Sequence, residues 1–122
     1  MTDISDKGEG AMARRRRTYS RITQEALTLL GSQIRLARKQ RRLSEAGLAE
    51  RIGVARSTLQ LIEKGDPRVE IGLAFEAASI VGVPLFQPEA TTLAPQIERT
   101  QDKLLLLPHA VRERRKEVKD DF

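Results

Sequence analysis

The placement of small and apolar residues between Ser44 and Gly65, in S-E-A-G-L-A-E-R-I-G-V-A-R-S-T-L-Q-L-I-E-K-G, constrains this chain more than any other feature. Ser44 can accept a hydrogen bond from the first free backbone N–H groups of a helix, and Leu48, Ala49 and Ile52 then form an i, i+1, i+4 apolar stripe facing inward. Ala49 carries only a methyl, so a second helix can cross close by, where a larger side chain would push the two apart. Gly53 stands at the helix end, where a left-handed residue costs little only for glycine. Val54 plugs the turn, and Leu59 and Ile62 place the next apolar stripe on the inner face of a second helix, leaving Arg56, Ser57, Gln60 and Lys64 outward.

Two short helices related in this way form a helix-turn-helix, and an outward face of that kind suits the reading of DNA. The rest of the composition limits the alternatives. A chain of 122 residues with 39% hydrophobic content suits one small domain with tails. Without cysteine there is neither a disulfide framework nor a thiolate metal site. The N-terminus lacks an apolar targeting core and no run approaches about 18 apolar residues, so a cytoplasmic location without membrane contact is expected. The net charge of +5 is uneven: residues 1–42 carry 11 Lys and Arg against 4 Asp and Glu, and residues 43–122 carry 11 against 13. A basic end beside a helix-turn-helix favours phosphate contact over a merely solvated tail.

Residues 1–19 are rich in Gly, Ser and charge with little apolar periodicity, and are expected to be a disordered basic arm. Arg14, Arg15, Arg16 and Arg17 within it suit either DNA backbone or minor-groove contact, or simple solubility. Met12 precedes this run, so translation could start there or at Met1. Thr23 is the expected cap of a helix continuing toward Arg42, with Glu25 in its first turn and Ala26, Leu30, Ile34 and Ala37 inward. Gly31 costs about 1 kcal/mol relative to alanine, so two helices meeting there are the alternative. Asp66-Pro67 starts a turn, and a helix over residues 70–81 ends at Gly82, with Leu73, Phe75, Ala77, Ile80 and Val81 as core candidates. The domain is thus expected over residues 20–88.

Over residues 89–107, Thr92 can cap a further helix with Pro95 in its first turn. Leu93, Ile97, Thr100, Leu104 and Leu107 follow 4, 3, 4, 3 spacing, which suits packing on a second copy, on another protein or on the chain's own core. Residues 108–122 read as a flexible tail ending in Phe122. His109 is the only histidine and lies in that tail, so no His-based triad or multi-histidine metal centre can be built. The 17 carboxylates lack a paired acid and base, and no G-x-x-x-x-G-K-[ST] phosphate loop is present. No enzyme activity, cofactor or metal is expected.

The central motif, with L-G-S-Q-I-R-L-A-R-K-Q-R-R-L before it and E-K-G-D-P-R-V-E-I-G-L-A-F-E-A-A-S-I-V-G-V after it, resembles the Xre and phage-repressor family of bacterial DNA-binding domains over about residues 30–86. The flanking Y-S-R-I-T-Q-E-A-L-T-L-L-G and L-L-L-L-P-H-A-V-R resemble the HipB-like antitoxins paired with HipA-like kinases. The resemblance implies an all-α, lambda-repressor-like bundle of about five helices with a flexible basic arm and a C-terminal tail. It implies an ion pair between Arg38 and Glu63, a base contact for Leu61 on a thymine methyl, and backbone contacts for Arg42, Ser44, Lys64 and Arg68. Three residues depart from the family pattern: Glu45 replaces a frequent glutamine, Ala55 lacks the usual capping hydroxyl, and Gly47 stands where a capping-box carboxylate is common. No family contact is carried over at 45 or 55.

The expected function is a homodimeric, nucleoid-associated repressor of double-stranded operator DNA, with a helix from Ala55 to Lys64 in the major groove and Arg56, Ser57 and Gln60 at base edges. An autoregulatory antitoxin holding a HipA-like kinase is the expected context. A stand-alone or phage-type regulator without a toxin partner is the alternative.

Overall fold

Ser20 starts the first helix. Its hydroxyl accepts from the Thr23 backbone N–H at 3.4 Å, which satisfies one of the amides a helix start leaves free. The computed structural model describes residues 17–86, 92–111 and 113. Among them are five helices and no strands: α1 (Arg21–Gln40), α2 (Glu45–Ile52), α3 (Arg56–Lys64), α4 (Ile71–Val81) and α5 (Ala94–Leu105). The chain divides into two units, residues 1–86 and 87–122.

In the first unit, α1 packs against α3 and α4, and α2 packs against the same two helices. The core between them holds Ile34, Leu48, Ala49, Leu59, Ile62, Ala77, Ala78, Val81 and Val83. Leu73, Ile80 and Phe75 are only half-buried, and Ala78 takes a fully buried place beside Ala77 that the expected set omitted. Two small side chains in succession bring α4 close to α1 and α2.

The start and phase of α1 differ from expectation. Thr23 lies three residues inside the helix because the serine upstream supplies the capping oxygen, and Glu25 lies beyond the first turn. The helix ends at Gln40, and Arg42 adopts a left-handed φ of 57°, so the Leu43 N–H donates to Arg38 O at 3.0 Å and Arg42 N–H to Lys39 O at 2.9 Å. Ala26 is exposed, and the half-buried Leu27 takes its place on the inner line with Leu30, Ile34 and Ala37. Nor does the helix break at Gly31. A Cβ on that residue would stand 2.6 Å from the carbonyl oxygens of both Ile62 and Glu63, so the missing side chain lets the end of α3 lie against the middle of α1.

Gly65 completes the same crossing. Its φ is 77°, and a Cβ there would stand 2.6 Å from Leu27 O, so left-handed backbone and close approach are required together. Helices α2, α3 and α4 all end with the same paired bonds around a glycine, as in Val54 N–H to Ala49 O at 3.0 Å and Asp66 N–H to Leu61 O at 3.0 Å.

In the second unit α5 begins after Leu93, with Pro95 in its first turn, and Thr92 Oγ1 accepts from the Ala94 N–H at 3.3 Å. Ile97, Thr100 and Leu104 are exposed along it; Leu107 falls beyond the helix end at Leu105. His109 is exposed. Arg14, Arg15, Arg16, Phe122 and most of the expected arm and tail lie outside the described residues.

Candidate nucleic-acid interface

Helix α2 is closed at both ends, by a side-chain hydroxyl at its start and a left-handed glycine at the turn into α3. Ser44 caps α2, its hydroxyl accepting from the Gly47 N–H at 2.9 Å, and Gly53 closes it with a φ of 88°. Val54 is half-buried in the turn. Ala55 occupies the cap position of α3 with no side-chain hydrogen bond, so the helix proper starts at Arg56. Leu48, Ala49, Leu59 and Ile62 are buried where the two helices meet, and this fixes which side of α3 faces out.

That outer side carries Arg56, Ser57, Gln60 and Lys64, all exposed, with Leu61 at its margin at 36% exposure. Arg42, Ser44 and Arg17 are exposed as well. Behind the surface, Arg38 and Glu63 are 5% and 8% exposed and paired by two hydrogen bonds, Nε to Oε2 at 2.7 Å and Nη2 to Oε1 at 3.1 Å. Arg38 Nη1 also donates to Leu43 O at 3.0 Å. The guanidinium therefore ties α1, the loop before α2 and the last turn of α3 together. The hydrogen bonds from Arg38 to Glu63 favour the charged guanidinium and raise its pKa further.

Two features of the surface depend on contacts that residue types alone do not disclose. Glu45, the first residue of α2, accepts from Arg56 Nε at 3.1 Å and from Gln60 Nε2 at 3.1 Å through the same oxygen, while its other oxygen lies 3.9 Å from Arg38 Nη2. The hydrogen bond from Gln60, then that from Arg56, hold the Glu45 carboxyl below the usual carboxylate range, so it is charged at neutral pH. Position 45, to which no family contact was carried over, is thus in contact with two residues on the outer face of α3.

The second is Arg68. Its Nε and Nη2 donate to Asp66 at 3.0 and 2.8 Å, and its backbone N–H donates to the same carboxylate at 2.8 Å. These bonds, the side-chain one first, lower the Asp66 pKa to about 2. Arg68 is exposed yet already paired, so a DNA phosphate would have to compete with Asp66 for it. No helix among the described residues is long and apolar enough to cross a membrane.

Residues 34–87 match the helix-turn-helix family model, a span running from the middle of α1 to just past α4 and containing both motif helices. Searches for similar curated proteins and for similar solved structures gave no significant match. The matched domain is the DNA-binding type found in transcription regulators.

Proposed function

Given a helix-turn-helix domain over residues 34–87, we propose that the protein is a sequence-specific transcriptional repressor that binds operator DNA as a homodimer, with α3 in the major groove. The observation that carries this reading is the outer side of α3, where Arg56, Ser57 and Gln60 are exposed opposite the buried Leu59 and Ile62. Arginine can bond both major-groove acceptors of guanine, and glutamine both polar atoms of adenine, each good pair contributing about 1–3 kcal/mol of discrimination. Leu61, partly exposed at the margin of that face, would meet a thymine methyl. Ser44, Arg42, Lys64 and Arg68 would contact phosphates and fix register, with Arg14, Arg15, Arg16 and Arg17 following the backbone or the minor groove. Two copies would read half-sites about one helical turn apart.

The finer part of the reading is an autoregulatory antitoxin that also holds a HipA-like kinase. Its support is the resemblance of the segments flanking the domain, together with the exposed Ile97, Leu104, Leu105, Leu106 and Leu107 in and after α5, an apolar run suited to a protein partner.

Fluorescence anisotropy with duplex DNA from immediately upstream of the gene and a scrambled duplex, at near-physiological salt, tests the reading. A preference of at least about a thousandfold for the upstream DNA is expected. Equal, weak binding to both would refute autoregulation, and a neighbouring kinase-like product that does not copurify would remove the antitoxin role.

A further inference from the structure

The contacts of Glu45 bear on how α3 would discriminate between sequences. A carboxylate only accepts hydrogen bonds, so the Gln60 amide must turn its nitrogen toward Glu45, which leaves the amide oxygen facing away. Arg56 gives Glu45 only its Nε–H and keeps both terminal nitrogens. Guanine needs two donors and adenine one donor and one acceptor. Glu45 therefore takes one of the two hydrogens on Gln60 Nε2 and leaves the other, with the amide oxygen, for adenine, and it holds two long side chains that would otherwise have to be ordered on binding.

Glu45 is itself held. It sits at the start of α2, and Arg38 lies 3.9 Å from its second oxygen, within reach of the buried pair with Glu63. A line of charges thus runs from the core to the outer face of α3. With α3 in the major groove, the same carboxylate, at the start of α2 and against α3, would set a negative charge near the DNA backbone and repel phosphate wherever the bases do not compensate.

We propose that Glu45 is a specificity-determining positioning residue: it aims Arg56 and Gln60 at the bases and disfavours DNA that lacks the matching sequence. This rests on the reading that α3 contacts bases, and the test separates the two. The full-length wild type, Glu45→Gln, Glu45→Ala, Arg56→Ala and Gln60→Ala are each taken through selection from a randomised duplex library. Each is then titrated by anisotropy with the wild-type winner and a scrambled duplex, and their melting temperatures are compared.

The wild type is expected to enrich a defined motif. Glu45→Ala should lose preference at the same base pairs that Arg56→Ala and Gln60→Ala blur, lowering the ratio of specific to scrambled binding by about tenfold. It should also bind the scrambled duplex up to about fivefold tighter, as loss of one exposed like charge allows. Glu45→Gln keeps an acceptor oxygen without the charge, so it should retain more of the motif while gaining the same scrambled-duplex affinity. Its behaviour decides the matter if the alanine variant is unstable. An unchanged motif and an unchanged ratio in Glu45→Gln and Glu45→Ala would overturn the role of Glu45 and leave the base-reading helix standing. A wild type that enriches no motif would overturn both.

Discussion

Replacing the glycine in the middle of α1 should reverse the sign that helix propensity alone gives. Alanine inside a 20-residue helix is ordinarily worth about 1 kcal/mol more than glycine. At position 31 the added methyl would stand 2.6 Å from two backbone carbonyl oxygens, those of Ile62 and Glu63. That is short of a normal carbon–oxygen approach by about 0.7 Å. The carbonyls are poorly placed to yield, because Gly65 passes equally close to Leu27 and Glu63 is bonded to Arg38. Overpacking of this kind costs about 1–3 kcal/mol, and backbone on the opposing side argues for the upper part of the range. After the propensity gain, Gly31→Ala should be destabilised by about 1–2 kcal/mol, and each kcal/mol lowers the melting temperature of a domain this size by roughly 4–8 °C. Gly72→Ala is the control: it lies in α4 with nothing within 4 Å of its added methyl, and should be stabilised by up to about 1 kcal/mol. Thermal and urea unfolding followed by circular dichroism reads both. A Gly31→Ala variant melting at or above wild type would refute the close crossing of α1 and α3.

The buried pair gives a second expectation: Glu63→Ala strands the Arg38 charge and should cost about 3–5 kcal/mol in urea unfolding, while Arg38→Met with Glu63→Leu should recover most of it. On DNA, Arg56→Ala should lose about 1–3 kcal/mol at the specific site and little on random duplex. Lys64→Ala should weaken both and flatten the salt dependence by about one unit; equal losses on the two DNAs for Arg56→Ala would count against base reading. Asp66 has a folded pKa of about 2 against an ordinary 3.8, so the folded state binds fewer protons than the unfolded between those values. Its contribution is complete above about pH 4 and is lost as the pH falls toward 2, so Asp66→Asn should flatten the acid limb of a stability profile in that window.

Much of the domain can be read from the chain because its signals are local. The Ser44 cap, the glycine at 53 and the spacing of Leu48, Ala49, Leu59 and Ile62 specify two helices and their crossing without help from the rest of the fold. The outward placement of Arg56, Ser57 and Gln60 follows from the phase set by Leu59 and Ile62. Where distant groups decide, the sequence is silent. Gly31 looks like a helix weakness until the carbonyls of α3, over thirty residues away, are seen against it. The clamp on Arg56 and Gln60 joins residues 11 and 15 positions from Glu45. The expected cap at Thr23 was misplaced for a different reason: Ser20, three residues upstream, carries a capping hydroxyl as well, and the helix takes that earlier one. Arg68 shows the converse, since the family resemblance implied a phosphate contact while Asp66, two residues earlier, stood in the sequence as a local partner.

The central claim is that the outer face of α3 meets DNA. It is tested most directly by recording the backbone amide resonances of the full-length protein during titration with its selected duplex. Shifts concentrated at Ser44, Arg56, Ser57, Gln60 and Lys64, with side-chain signals of Arg56 and Gln60 moving together, are the expected result. Shifts confined to α5, or spread evenly with no focus on α3, would contradict it.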